Sequence, residues 1–426
     1  MALKVAVVGA GWAGMAAAVS ATQAGHGVTV FEASRILGGR ARAVKVRMPD
    51  GSDAVLDNGQ HILIGAYSQT LELMAWVGVD ANTALLRMPL ALQFPNGTGL
   101  VMPDWPSPLN ALAGILRHSD WSWTEKFALL LRSGRWQRQG FQCPSGASVE
   151  QLCAGLPQRL MDTLIEPLCV SALNTPPARA SGQVFLRVLQ DSLFGERGSS
   201  DLLLPRTDLS TLLPQACADW LQTQGGLVHT GCRVDALEPA AHNQWRVLGA
   251  LFDAVVLACP PAAAAQLAAQ SGFTQWAASA QQLQFESIAT VYAHAPGLRL
   301  RLPMLVLPSG PDQPAQFVFD RGQLGGPAGL MAFVVSANTE GRDLVESKVL
   351  RQAAQLLPDA AQLVAVQTVV EKRATFACTP GLVRPEAHIG PGLWACGDYI
   401  AGPYPATLEG AVRSGMQAGQ KVGRST

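Results

Sequence analysis

The sequence predicts an α/β fold in which a discontinuous, Rossmann-like dinucleotide-binding domain is interleaved with a substrate domain of mixed antiparallel sheet and helices. Three observations predict it. A βαβ unit with a glycine-rich turn opens the chain, a helical stretch interrupted by proline and glycine occupies the middle, and a strand, turn and helix close it. On this reading residues 1–80, 205–275 and 385–426 build the dinucleotide-binding domain, while 81–204 and 276–384 build the substrate domain, with 105–200 mainly helical. A chain of 426 residues is long enough for two such units, since ~100–200 residues per domain is usual.

The elements follow in order. Residues 3–8 (Leu-Lys-Val-Ala-Val-Val) form an apolar run expected of a buried parallel strand, 12–25 an alanine-rich helix, and 28–32 a second strand. Alternation at 43–48 and 54–57 predicts further strands, and 68–78 a helix. Residues 85–102, turned at Asn96-Gly97, predict a β-hairpin. From 105 to 222 helical character dominates, with an apolar-periodic stretch at 148–172. Strand character returns at 226–236 and 253–259, which are expected to rejoin the first domain. Segments 286–294, 302–307, 316–320, 330–336 and 364–376 predict an antiparallel sheet carrying a helix at 343–356. Residues 392–398 read as strand then turn, and 405–421 as a closing helix.

Composition narrows the partners. Hydrophobic residues make up 48% and charged residues 15%, which excludes a disordered chain and leans towards a greasy ligand. Lysine plus arginine balances aspartate plus glutamate at 31 each, so no positive field favours nucleic acid. The eight cysteines contain no C-x-x-C pair; neither a metal site nor a disulfide framework is signalled, and a cytoplasmic setting is expected. Apolar runs are too short to span a bilayer, so any membrane contact is expected to be peripheral, on the inner face of the cytoplasmic membrane. Its candidate is 105–138, where Trp105, Trp121, Trp123 and Trp136 lie among Arg117, Lys126, Arg132, Arg135 and Arg138 against Asp120 and Glu125. That mixture suits a water–lipid boundary, and equally a helical domain burying its aromatics.

The glycine turn carries the chemistry. Gly9-Ala-Gly11-Trp12-Ala13-Gly14 follows a strand and opens a helix, and Glu32 ends the next strand. Gly9 permits the tight turn, Gly11 lets the backbone approach a pyrophosphate, and Gly14 lets helix and strand pack closely. The helix N-terminus offers unpaired amides to phosphate, and Glu32 offers its carboxylate to ribose hydroxyls. A carboxylate there disfavours the extra phosphate of NADP but does not separate NAD from FAD. Downstream, Leu37-Gly38-Gly39-Arg40-Ala41-Arg42 brings flexible backbone and a guanidinium to the same pyrophosphate. Near the C-terminus Gly397-Asp398 follows a strand and precedes a loop running into Thr407-Leu408-Glu409-Gly410.

These motifs resemble the glycine-rich, arginine-bearing FAD superfamily of amine oxidases, phytoene desaturases and their relatives. The resemblance implies non-covalently bound FAD, with Asp398 at the ribityl chain, the helix after Thr407 and Leu408 aimed at the flavin ring, and Val234 holding the adenine through its backbone. Ala33, next to Glu32, completes the expected cofactor-binding set.

Residues 56–67, Leu-Asp57-Asn58-Gly59-Gln60-His61-Ile-Leu-Ile-Gly-Ala-Tyr67, together with Glu371-Lys-Arg373-Ala-Thr-Phe376 and the ending Trp394 to Gly415, are similar to the hydroxysqualene dehydroxylase family. That similarity implies a C30 isoprenoid substrate and reduction of hydroxysqualene to squalene, feeding bacterial hopanoid synthesis. An allylic hydroxyl leaves as water once protonated, and reduced flavin supplies a hydride. His61 is the first candidate for proton donor, ahead of Asp57 and Glu409, while Asn58, Gly59 and Gln60 are expected at the isoalloxazine or pocket floor. Cys259 and Cys396 read as small core fillers, and Cys378 as a remote candidate for covalent attachment of the flavin. The motifs carry no signature of the electron donor. Two alternatives accompany this reading: a desaturase or amine oxidase running the flavin oxidatively, and a non-catalytic prenyl-lipid-binding protein of the kind that escorts small GTPases.

Overall fold

Strand Lys4–Val8 lies inside a six-stranded sheet because every neighbour it needs is also an apolar run. In the computed structural model, which describes residues 2–357 and 360–423, the strand order is Leu227–Thr230, Gly27–Glu32, Lys4–Val8, Ala254–Leu257, Leu393–Ala395 and His388–Gly390. All neighbours pair in parallel except the last, and Val5, Ala6 and Val7 are fully buried, as a strand covered on both faces requires.

Helix Trp12–Gln23 crosses over between the first two strands, and the closing helix Leu408–Lys421 lies against it. Glycine permits this close approach: a Cβ on Gly415 would stand 2.1 Å from the Ala13 carbonyl oxygen, and one on Gly419 2.5 Å from that of Ala17. The Ser20 hydroxyl donates to the Met416 carbonyl at 2.9 Å, so the two ends of the chain share one core.

A five-stranded antiparallel sheet follows the order Met304–Val306, Phe317–Asp320, Leu330–Ser336, Phe285–His294 and Val364–Phe376. Its alternation sorts the faces. Val291, Val318, Phe333 and Val335 pack under helix Arg342–Leu356, while Tyr292, Phe317, Phe319 and Val334 face the other way into a second apolar cluster. The helical region joins this sheet through Asn174, in left-handed conformation after helix Glu166–Leu173: its amide donates to Thr375 Oγ1 at 2.9 Å and accepts from the Ala337 N–H at 2.8 Å.

Several sequence expectations are corrected. Residues 85–102 are not one hairpin: Leu85–Met88 pairs with Leu202–Pro205, and only Ala91–Gln93 and Gly99–Val101 pair across the Asn96-Gly97 turn. Pro89 lacks the N–H needed to continue the first strand. Leu202–Pro205 is itself a strand inside a stretch expected to be helical, held by partners distant in sequence. The strand expected at 226–236 ends at Thr230, where Gly231 takes φ +67° and the Gly231 and Cys232 N–H groups turn to the Ser34 and Glu32 carbonyls. Residues 238–252 add a small sheet, and helices Pro261–Gln270 and Thr274–Gln281 follow it. Of the four tryptophans in 105–138, Trp121 and Trp136 are buried, and Trp105 and Trp123 are exposed.

Candidate functional site

A cavity of about 760 Å³ opens at the C-terminal ends of the parallel strands, with walls from that sheet, the helical region and the antiparallel sheet. This is the crevice where open α/β sheets bind ligands. Gly9 takes φ +110°, and a Cβ there would stand 2.8 Å from the Ala258 carbonyl oxygen. The helix it leads into starts at Gly11 without a side-chain cap and with no acidic residue in its first turn. Its first N–H groups are thus free for an anion, and Gly11, Trp12 and Ala13 line the cavity. The second glycine stretch lies directly on the first. Gly38 N–H donates to the Ala10 carbonyl at 2.9 Å, and a Cβ on Gly39 would be 3.3 Å from Gly11 Cα.

Glu32 lines the cavity beside Ala33, but its carboxylate also braces the turn: one oxygen accepts from Ala10 N–H and the other from Ser34 N–H, each at 2.7 Å. Each oxygen keeps a lone pair for a ribose hydroxyl. Arg40 pairs with Asp398 and donates to the Ala374 carbonyl at 2.8 Å. Burial alone would lower the guanidinium pKa; the Asp398 carboxylate outweighs it and holds the pKa above its ordinary value. Asn58 bonds the Arg40 carbonyl at 3.2 Å and Glu371 at 3.3 Å. Gly59, Gln60, Val234, Gly397, Thr407 and Leu408 share the same cavity wall. Thr407 caps the closing helix by accepting from Gly410 N–H at 2.9 Å.

Gly14 packs as the sequence predicts, whereas Asp57, Glu409, Cys378 and Cys259 stand elsewhere than sequence reasoning put them. Gly14 is outside the cavity wall and serves packing, since a Cβ there would lie 1.9 Å from the Gly9 carbonyl oxygen. Asp57 is also outside the wall, its carboxylate accepting from Leu209 N–H at 2.8 Å. Glu409 is fully buried away from it, bonded to the N–H groups of Gln69 and Thr70, the Thr70 hydroxyl and Arg413. Cys378 is likewise outside, whereas Cys259, expected in the core, lines the cavity. His61 does line it, with Nδ1 2.9 Å from the Gly59 carbonyl. A carbonyl only accepts, so Nδ1 carries the proton. Burial lowers the imidazole pKa, opposed by that hydrogen bond and reinforced by Arg40, which leaves a neutral ring with a free Nε2 lone pair.

Other wall residues were given no site role by the sequence, although Glu371, Thr375 and Tyr399 lie in the stretches that carry the family resemblance. Ile288, Phe317, Phe319 and Val334 form an apolar wall from the antiparallel sheet, and Glu371, Thr375 and Tyr399 add polar groups. Period-two alternation marks the apolar four as one face of a sheet, but nothing in the chain says which face meets the cavity. Among the described residues no helix is long and apolar enough to cross a membrane, and no cluster of three or more metal-binding side chains occurs.

Residues 12–422 match the family described as flavin containing amine oxidoreductase. The chain belongs to this family. Its members are flavin-dependent oxidoreductases, and the glycine cradle, open helix N-terminus and cavity-lining Glu32 carboxylate fit a flavin dinucleotide. A hydroxysqualene dehydroxylase from Rhodopseudomonas palustris is 27% identical over 99% of both chains. A 15-cis-phytoene desaturase from Glycine max is 28% identical over 55% of this chain and 42% of its own. In fold, an oxidoreductase from Methanosarcina mazei superposes with TM-score 0.73 at 18% identity, covering 97% of this chain and 99% of that one. The α/β architecture expected from the sequence is that of this family.

Proposed function

We propose that the protein binds FAD non-covalently and reduces hydroxysqualene to squalene. The observation that carries this reading is similarity to a hydroxysqualene dehydroxylase over 99% of both chains, whereas a phytoene desaturase from Narcissus pseudonarcissus that matches 99% of this chain is itself covered over only 79% of its length. Gly9, Gly11 and the first helix N–H groups would hold the diphosphate, Glu32 the adenosine ribose, and Asp398, backed by Arg40, the ribityl chain. When bound, reduced flavin supplies the hydride that takes the place of the departing hydroxyl.

The chain's own part is positioning, drying and protonation. Ile288, Phe317, Phe319 and Val334 hold a hydrocarbon chain and exclude water. Protonation of the allylic hydroxyl lets it leave as water; the position of His61 in the cavity wall supports it as the donor. Being neutral at rest, it first takes a proton on Nε2, so turnover through His61 falls as pH rises through its lowered pKa.

The test is anaerobic incubation of the purified protein with reduced flavin and hydroxysqualene, followed by mass spectrometry of the extract. Squalene is the expected product, and His61→Ala is expected to retain flavin and slow turnover by ~10²-fold. Unaltered hydroxysqualene, with desaturation of squalene or a carotenoid precursor under air, would instead establish the oxidative reading suggested by the phytoene desaturase similarity.

A further inference from the structure

Two neighbouring helices turn apolar side chains outward. Leu109, Leu112 and Leu116 recur at i, i+3 and i+7 on Leu109–Arg117, and Trp123, Phe127 and Leu131 at i, i+4 and i+8 on Trp123–Arg138, with Trp105 just before them. All seven are exposed, Trp123 to 63% and Leu131 to 73%. Isolated exposed leucines need no explanation; a contiguous stripe on two packed helices does.

The stripe is held rigidly. The buried Lys126 ammonium donates to the Leu116 carbonyl at 2.8 Å, closing the C-terminal end of one helix from the side of the other, and lies 4.9 Å from the Trp123 ring centre. Cations border it. Arg117 stacks over Trp105 at 5.0 Å, and Arg135 and Arg138 are exposed in the last turn of the second helix. Within 105–138 five lysines and arginines face two carboxylates. The inner faces of the same helices, through Ala111, Ile115 and Leu129, join the apolar cluster that contains the cavity-wall residues Phe317, Phe319 and Val334.

We propose that this face docks on the surface of an anionic lipid bilayer, with Trp123, Phe127 and Leu131 inserted at the headgroup level and Arg117, Arg135 and Arg138 against lipid phosphates. The excess of cations favours anionic lipid over a second copy of the same positive face. The inference does not depend on which isoprenoid the enzyme reduces.

The test is flotation of the full flavin-loaded chain with vesicles of phosphatidylcholine alone and of phosphatidylcholine with phosphatidylglycerol. Binding is expected only with the anionic vesicles, weakened roughly tenfold or more for each side chain removed in Phe127→Ser/Leu131→Ser, and roughly fivefold per charge in Arg135→Gln/Arg138→Gln. These side chains are exposed, so flavin content and melting temperature should stay at the wild-type level. The proposal is overturned if wild-type protein stays unbound, if the variants float equally well, or if they only convert a dimer into a monomer.

Discussion

Asp57 has no place in the cavity wall, yet it is a titrating group of consequence. Burial raises its carboxyl from 3.8 to about 6, opposed by the Leu209 N–H and Arg321 and reinforced by Asp208. The folded chain thus binds this proton more tightly than the unfolded one. Its contribution to stability is fully present below about pH 3.8 and is lost as pH rises through about 6, with a limit of roughly 3 kcal/mol. Asparagine keeps the acceptor for Leu209 and cannot ionise. Relative to wild type, Asp57→Asn is therefore expected to gain stability progressively between about pH 4 and about pH 6 and to level off above, up to ~3 kcal/mol. Urea melts across that range decide it, and a difference that does not change with pH refutes the assignment. The same microenvironment explains why a motif residue misleads: position 57 sits three residues from the cavity-lining Gln60, but the strand Asp53–Asp57 ends with its side chain turned to Leu209.

At the scale of elements, Glu409 belongs to one helix and completes another. From the first turn of Leu408–Lys421 it accepts from Gln69 N–H at 3.1 Å, Thr70 N–H at 3.0 Å and the Thr70 hydroxyl at 2.7 Å, which are first-turn donors of Ser68–Trp76. Arg413, one turn on, neutralises it at 2.6 Å. Removing the carboxylate orphans buried donors and a partly buried cation together. Glu409→Ala is expected to lose about 3 kcal/mol of stability while the purified protein keeps its flavin; a loss below ~1 kcal/mol in denaturant melts would show that the network carries little. The glycine turn was legible because its parts are local: turn, helix start and acid fall within residues 9–32, and each has a backbone reason to be there. The interhelical cap was not, since the donors at 69 and 70 lie some 340 residues from their acceptor. Strand Leu202–Pro205 was missed for the same reason, its partners being Leu63–Ile64 and Leu85–Met88. The five-stranded sheet read well because its strands are runs rich in valine, phenylalanine and other strand-forming residues, a signal local to each segment.

Over the whole molecule, one cradle is assembled from both ends of the chain, and its geometry depends on how closely two helices approach. Trp12 and Ala13 at the start of the first helix and Thr407, Leu408 and Ala411 at the start of the last line the same cavity. Their separation is set where Gly415 and Gly419 meet the backbone of the first helix. A methyl group at 415 would stand 2.1 Å from the Ala13 carbonyl oxygen and 3.0 Å from Ala16 Cβ; neither neighbour is a flexible side-chain end, so the helices must part. Overpacking of this kind costs roughly 1–3 kcal/mol or more. Because the displaced atoms include the cavity wall itself, Gly415→Ala is expected to weaken flavin retention as well as stability. A ligand that binds only the folded state adds stability that grows with the logarithm of its concentration over Kd, so the difference from wild type should widen when excess flavin is present. Gly134 is the control: it lies inside helix Trp123–Arg138 with nothing within 4 Å of an added Cβ, and Gly134→Ala is expected to stabilise by ~0.5–1 kcal/mol through helix propensity without touching flavin binding. Melts of both variants with and without added flavin distinguish local crowding from loss of the shared cradle. If Gly415→Ala holds flavin as tightly as wild type, the closing helix does not set the geometry of the site.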